Sequence, residues 1–304
     1  MENSNAAQSG PPATEVRNSR TRDIDTVPTL ELLMLLNAED AAVAGAVLAT
    51  LPVLAQVVDL VVDRLKAGGR VHYFGAGSSG RIGVLDAAEI VPTFGTDPPL
   101  FIAHHAGGEG AVVTAIEGAE DDEDLGMRAG RVLTSADVAI GLSASGRTPW
   151  VAGALRAGRA AGAATVLISS NLAAPLRPLA DYAILIDTGP EAIAGSTRLK
   201  AGTAQKMVLN GLSTAAMIRM GRTYSNLMVA MSGRNAKLRN RQITILMEAS
   251  GAGEAACRAE LDGCDGDLRL ALLCLLAGLT PGEARPRLVA AHGSVRAALN
   301  ATGT

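Results

Sequence analysis

GAGSSGRIGVLDAAE, residues 75–89, is the stretch from which the rest of the chain can be read. It follows a short β-like run at 71–74 and leads into text that suits a helix at 81–90. A turn rich in glycine and serine at that junction can wrap an anion. The helix start offers unpaired N–H groups and the positive end of the helix dipole. In open α/β sheets this strand edge is where ligands bind. Ser78, Ser79 and Gly80 therefore form a candidate phosphate cradle. The same letters superficially match the GxGxxG pattern of dinucleotide sites. That reading needs an acidic residue at the end of the next strand, which here ends Ala103-His104-His105.

A second turn of the same kind, SASGRT at 143–148, follows another apolar run and nominates Ser143, Ser145 and Thr148. Two such turns at two strand ends would open on one edge of a sheet, which points to a shared site for a phosphorylated sugar. Two glutamates stand near these turns. Glu89 lies on the helix behind the first turn. Glu120 lies in IEGAEDD at 116–122. Any single glutamate is most simply a surface carboxylate. Acid–base work needs one group that holds a proton and one that does not, and this pair is the candidate for it. The run 121–124 reads as a solvated helix start. Lys200 and Lys206 are possible charge partners for the phosphate, with a solvated helix face as the equal alternative. His104 and His105 would point to opposite faces of a strand, as core or loop residues rather than metal ligands.

The 304 residues are 48% hydrophobic but only 2% aromatic, so the core must be built from Ala, Val, Leu and Ile. That suits buried parallel strands under alanine-rich helices. β-like runs at 71–74, 100–103, 138–142, 165–168 and 182–186 alternate with helical text, the pattern of a parallel sheet with helices on both faces. Helical text at 29–37, 41–67 and 198–220 flanks them. From about 233 the chain reads as a small bundle of three or four helices. The expected organisation is a tail and helical segment at 1–55, disordered up to about Ala13, a sugar-phosphate domain at 56–232 and a helical bundle at 233–304. A net charge of −3 gives no overall drive toward nucleic acid or an anionic membrane. The apolar stretch 41–62 is interrupted by Pro52, Gln56 and Asp59 and reads as a buried helix or helix pair, with no apolar signal core before it, so the expected location is the cytoplasm. Cys257, Cys264 and Cys274 lack the spacing of a zinc knuckle and read as buried free thiols.

The residues at 75–89, with PTFG at 92–95, TEVRNSRTRDID at 14–25, IEGAEDD at 116–122, SASGRTPWV at 143–151 and GPEAIAGSTRLKAGTAQKMVLNGLSTAAM at 189–217, resemble the N-acetylmuramic acid 6-phosphate etherases. The resemblance implies a sugar isomerase (SIS) fold, a three-layer αβα sandwich around a five-stranded parallel sheet, working as a homodimer. It implies cleavage of a lactyl ether with water, giving N-acetylglucosamine 6-phosphate and D-lactate in cell-wall amino-sugar catabolism, with no cofactor and no metal. It places the family's proton donor on Glu89 and its second acid–base residue on Glu120. The chain departs from the family pattern at Ile90-Val91, where cysteine-proline is usual, at the less apolar 101–105, and at Ala230, where an acidic residue is common. Two other classes use similar motifs: an aldose–ketose isomerase of the same fold, and a non-catalytic sugar-phosphate sensor resembling the longer, two-domain kinase regulatory protein. Release of lactate separates all three.

Overall fold

The structure, a computed structural model, describes residues 12–301 except 97, 115 and 232–235. In chain order its main elements are α1 (Thr29–Asp40), α2 (Val43–Leu48), α3 (Leu51–Lys66), β1 (Val71–Gly75), α4 (Gly77–Phe94), β2 (Phe101–His105), α5 (Gly110–Val113), α6 (Glu123–Ala129), β3 (Val138–Leu142), α7 (Pro149–Ala161), β4 (Ala164–Ser169), β5 (Tyr182–Leu185) and α8 (Lys200–Arg219). Then follow α9 (Ala236–Ser250), α10 (Glu254–Gly263), α11 (Leu268–Ala277), α12 (Pro281–Ala290) and α13 (Val295–Asn300).

The strands pair in the order β2-β1-β3-β4-β5, all parallel. β1, β3 and β4 are buried at every position, as expected of parallel strands covered on both faces. Successive residues of β1 show the two coverings. The Tyr73 hydroxyl donates to Asp86 of α4 at 2.9 Å. The Phe74 ring, pointing the other way, lies 6.0 Å from that of Trp150 in α7. The α/β sandwich expected from alternating strands and helices is thus in place. β2 extends further than the 100–103 expected, because His104 and His105 continue the ladder opposite Phe74 and Gly75.

The expected helical stretch at 41–67 is a pair of helices. Pro52 sits at the start of α3, where its missing N–H costs nothing, but it could not continue a helix from α2. α3 then buries Leu54, Val57, Val58, Val61, Val62 and Leu65 along one stripe. No single described helix is long and apolar enough to cross a membrane; Thr29–Leu48 with Leu51–Lys66 passes by length and composition only as a pair bent by 60°.

The described residues fall into two compact units. One holds those up to Ala87 with Phe101–Leu212, the other Ala88–Leu100 with those from Ser213 onward. The expected domain boundary at 232/233 falls outside the described residues, as does the tail at 1–11, while Ala13 begins a short 3-10 turn. The helical unit carries five helices from Ala236 on, rather than three or four. Its axis is α11, with Leu268, Leu270, Ala271, Leu272, Leu273 and Cys274 all buried. Asp267 caps α11 by accepting from the Arg269 and Leu270 N–H groups, and Gly278 ends it in the left-handed conformation.

Candidate functional site

The strand order reverses direction between β1 and β3: β2 lies on one side of β1, and β3, β4 and β5 on the other. Such a switch point opens a crevice at the carboxyl ends of the two strands. Gly75 and Leu142 are paired across it, and the two glycine-serine turns begin directly after them. A cavity of about 460 Å³ lies there, lined by Ser78, Ser79, Ser145, Thr148, Arg147 and Thr197 together with the carboxylates of Glu15, Glu120 and Asp121.

The first turn is shorter than the sequence suggests. α4 begins at Gly77, so Ser78, Ser79 and Gly80 form its first turn rather than a loop before it. Gly80 does not line the cavity. Its N–H is bonded to the Ala76 carbonyl at 3.0 Å, and a Cβ there would stand 2.5 Å from the His105 ring and 2.6 Å from the Gly75 oxygen. Gly80 lets the helix start pass against the end of β1, which leaves the cavity wall to Ser78 and Ser79. Gln205 of α8 donates to the Ser79 carbonyl at 2.9 Å, and a His105 ring nitrogen faces the Gly77 carbonyl at 3.2 Å. His104 turns to the opposite face, stacked on Phe74 at 4.6 Å between ring centroids. There its ring nitrogen faces that of His72 at 2.9 Å, and burial, helped by the neighbouring His72, holds it down at about 4.

The second turn is braced from behind. Ser143 is buried, with its hydroxyl 2.8 Å from that of Thr148. It orients Thr148 without lining the cavity itself. Asn171 and Ser169, at the end of β4, donate to the Ser145 and Ala144 carbonyls at 2.8 and 3.2 Å. α7 starts immediately after Thr148, and the Trp150 N–H, unpaired within its own helix, donates to the main-chain carbonyl of Glu120 at 3.0 Å. This bond fixes Glu120 to the wall while its side chain stays exposed. Asp122 caps α6 by accepting from Leu125 N–H at 2.8 Å, the helix-start role read from the acidic run. Asp121 lines the cavity instead.

Glu15 comes from the TEVRNSRT segment, which docks far along the chain. Gly195 N–H donates to the Thr14 carbonyl at 2.8 Å, and Thr21 donates to the Ala192 carbonyl at 2.7 Å. The sequence nominates none of Glu15, Asp121, Arg147 and Thr197. Glu89 is on α4, exposed, and is not among the residues that line the cavity. Lys200 is not a phosphate partner: it is buried, with its ammonium 2.6 Å from Glu39. Arg20, hydrogen-bonded to the other Glu39 oxygen at 2.5 Å, and Lys200 together hold the Glu39 carboxyl down at about 2. Lys206 is exposed and does not line the cavity either.

Two other cavities offer different chemistry. One of about 410 Å³ in the helical unit is lined by Val91, Pro92, Val229, Met231 and Leu268 among others, with Arg269 but with no serine or threonine among its described lining residues. One of about 490 Å³ lies at the amino ends of β1 and β3, where Arg70, His72, His104 and Asp137 meet.

Residues 53–159 match the model of the glucokinase regulatory protein N-terminal SIS domain, and residues 115–215 that of the SIS domain. The chain is 56% identical to an N-acetylmuramic acid 6-phosphate etherase of Thermobifida fusca, over 86% of each chain. The chain belongs to the N-acetylmuramic acid 6-phosphate etherase family. Etherases of that name from Cutibacterium acnes and Yersinia pestis are 47% and 48% identical to it, over 94% of this chain and 95% and 97% of theirs. Likeness to the etherases thus runs well beyond the SIS domains, through both units, which favours the etherase reading over an isomerase or a sensor. Family membership makes the chain an enzyme of the carbon–oxygen lyase class with a small sugar phosphate as its substrate.

Proposed function

We propose that the chain cleaves the D-lactyl ether of N-acetylmuramic acid 6-phosphate with water, giving N-acetylglucosamine 6-phosphate and D-lactate in amino-sugar catabolism. The observation that carries this reading is the mixed lining of the cavity, in which the hydroxyl residues Ser78, Ser79, Ser145 and Thr148 and the start of α4 occur together with Glu15, Glu120 and Asp121. A phosphate suits the hydroxyls and the positive end of the α4 dipole. Gly80 and Ser143 support that cradle from behind. Anchoring the phosphate away from the reacting bond lets its binding energy orient the sugar.

The chemistry follows from what an ether requires. An alkoxide is a poor leaving group at neutral pH. Opening the sugar ring gives a C1 aldehyde, which acidifies the C2 proton. Glu120 removes that proton as a base. Glu89, as an acid, protonates the C3 ether oxygen, the C3–O bond breaks, and lactate leaves. The α,β-unsaturated aldehyde that remains takes up water at C3, with Glu89 now acting as base and C2 regaining a proton. The ring then closes. Each acid–base group contributes about 10²–10⁴-fold.

We infer that the working form is a homodimer in which the site is completed at the subunit boundary. α1 supports this, since it leaves Leu30, Leu33 and Met34 exposed at 72, 55 and 64%. Contiguous apolar surface of that kind marks an interface, and a twofold contact sets the same patch against itself.

The test is the fate of isotopes during lactate release from N-acetylmuramic acid 6-phosphate. In D₂O the sugar product gains deuterium at C2, and from ¹⁸O-water it gains the label at C3. Label found in the lactate would mean displacement at the lactyl carbon, and absence of lactate would remove the etherase reading.

A further inference from the structure

The three cysteines carry no metal-binding spacing in sequence, yet the fold of the helical unit collects two of them with a carboxylate. Glu260 and Cys264 are one helical turn apart at the end of α10. The chain then reverses through Asp265, whose φ of 55° lies in the left-handed region, and Gly266. Asp267 starts α11, which returns Cys274 to the same place. The ligand atoms of Glu260, Cys264 and Cys274 all lie within 4.8 Å of one another. The Cys264 thiol donates to the Glu260 carboxylate at 3.6 Å. Both cysteines are buried, while Glu260 is partly exposed and opens a way in from solvent.

We propose that Glu260, Cys264 and Cys274 bind a borderline-soft divalent cation of the zinc class, with two thiolates and one carboxylate as ligands and a fourth position left to water. Zinc takes Cys sulfur at about 2.3 Å and carboxylate oxygen at about 2.0–2.2 Å in tetrahedral geometry. Those lengths imply ligand atoms about 3.5–3.8 Å apart, so small rotations of side chains already gathered within 4.8 Å complete the set. A paired sulfur donor set selects such an ion over magnesium or calcium, which prefer oxygen. Cys257 is an internal contrast. It is equally buried, but it lies outside the cluster and donates to the Ala252 carbonyl at 3.6 Å. The bound ion would tie the end of α10 to the middle of α11, the most buried helix of the unit.

Cadmium titration of the full chain, kept reduced and stripped of metal by chelation, tests this directly. One ion per chain is expected, with the ultraviolet charge-transfer band of a cadmium–thiolate bond and a concentration-dependent rise in Tm. Cys264→Ser or Cys274→Ser should abolish the band, Cys257→Ser should keep it, and Glu260→Gln should weaken uptake at least about 10-fold. Circular dichroism identifies a serine variant that fails to fold; Glu260→Gln and Cys257→Ser then decide, since both leave the thiol pair in place. A band that survives loss of both Cys264 and Cys274, or a reduced wild-type chain that takes up no cadmium, overturns the site. So does equal uptake by wild type and Glu260→Gln.

Discussion

The two turns that frame the cavity echo each other in sequence, Gly-Ser-Ser-Gly-Arg at 77–81 and Ser-Ala-Ser-Gly-Arg at 143–147, but they are built by different devices. The first is a matter of backbone clearance. Gly75 and Gly80 pass so closely that a Cβ on Gly75 would lie 2.8 Å from the Gly80 Cα, and what remains toward the cavity is the first turn of α4. The second is a network of side chains, in which Ser143 holds Thr148 from inside while Asn171 and Ser169 hold the turn's carbonyls. Similar letters therefore conceal different devices. A methyl group added at Gly75 or Gly80 collides with main chain, whereas a hydroxyl removed from the second turn leaves its backbone in place.

The largest effect should come from neither turn. If both only hold the phosphate, the Glu120 carboxylate in the same cavity sets the rate. Glu120→Gln keeps the main-chain carbonyl that accepts from Trp150, so the wall stays in place while proton transfer is lost. kcat should fall about 10²–10⁴-fold with KM little changed, and deuterium exchange at C2 should slow with it. Glu89→Gln should fall as far. Mixing the two inactive variants then asks where Glu89 acts. In a site shared between copies, random re-pairing leaves about a quarter of all sites intact, and that fraction of activity returns. If no activity returns although subunits have demonstrably exchanged, the two glutamates belong to one chain's site.

Next in size is Gly80→Ala. The new methyl would meet the His105 ring at 2.5 Å and the Gly75 oxygen at 2.6 Å, and overpacking of this kind costs about 1–3 kcal/mol. Denaturant unfolding should show a loss near the top of that range, with KM raised because the start of α4 shifts. Gly77→Ala is the control. Its site is open, and only its φ of 52° resists a side chain, a penalty of about 1–2 kcal/mol. Equal losses in the two variants would mean that clearance at Gly80 is not what shapes the first turn.

Much of this is readable in the chain because it is local. Strands of Val, Ile and Leu bounded by glycine turns announce a parallel sheet. What the letters hide depends on distant partners. Lys200 looks like a phosphate ligand until Glu39, 161 residues away, is seen to hold it. Glu15 reaches the cavity only because Thr14 is bonded to Gly195, and no periodicity encodes that docking. Glu260, Cys264 and Cys274 meet only because a tight reversal folds α11 back on α10. Gly80 reads as a phosphate contact because a glycine beside serines looks like part of a cradle. Its close passage past Gly75 becomes visible only once α4 is seen to begin at Gly77.

The smallest effect, and the sharpest contrast with Gly80, is expected at Ser143. Its hydroxyl is buried and lies 2.8 Å from that of Thr148. Ser143→Ala removes one partner and leaves the Thr148 hydroxyl free to rotate, while the carbonyls of the turn keep their bonds to Ser169 and Asn171. The lost hydrogen bond is worth about 1 kcal/mol, which corresponds to about a 5-fold change in an equilibrium constant. KM should rise by about that factor, with kcat within about twofold, since on the proposed reading the group orients the phosphate-binding Thr148 and touches no reacting bond. Thr148→Val should raise KM at least as much, and the double variant should add little to either, because both changes break the same contact. If the two effects simply add, Ser143 and Thr148 act independently, and the second turn is not the side-chain network that sets it apart from the first.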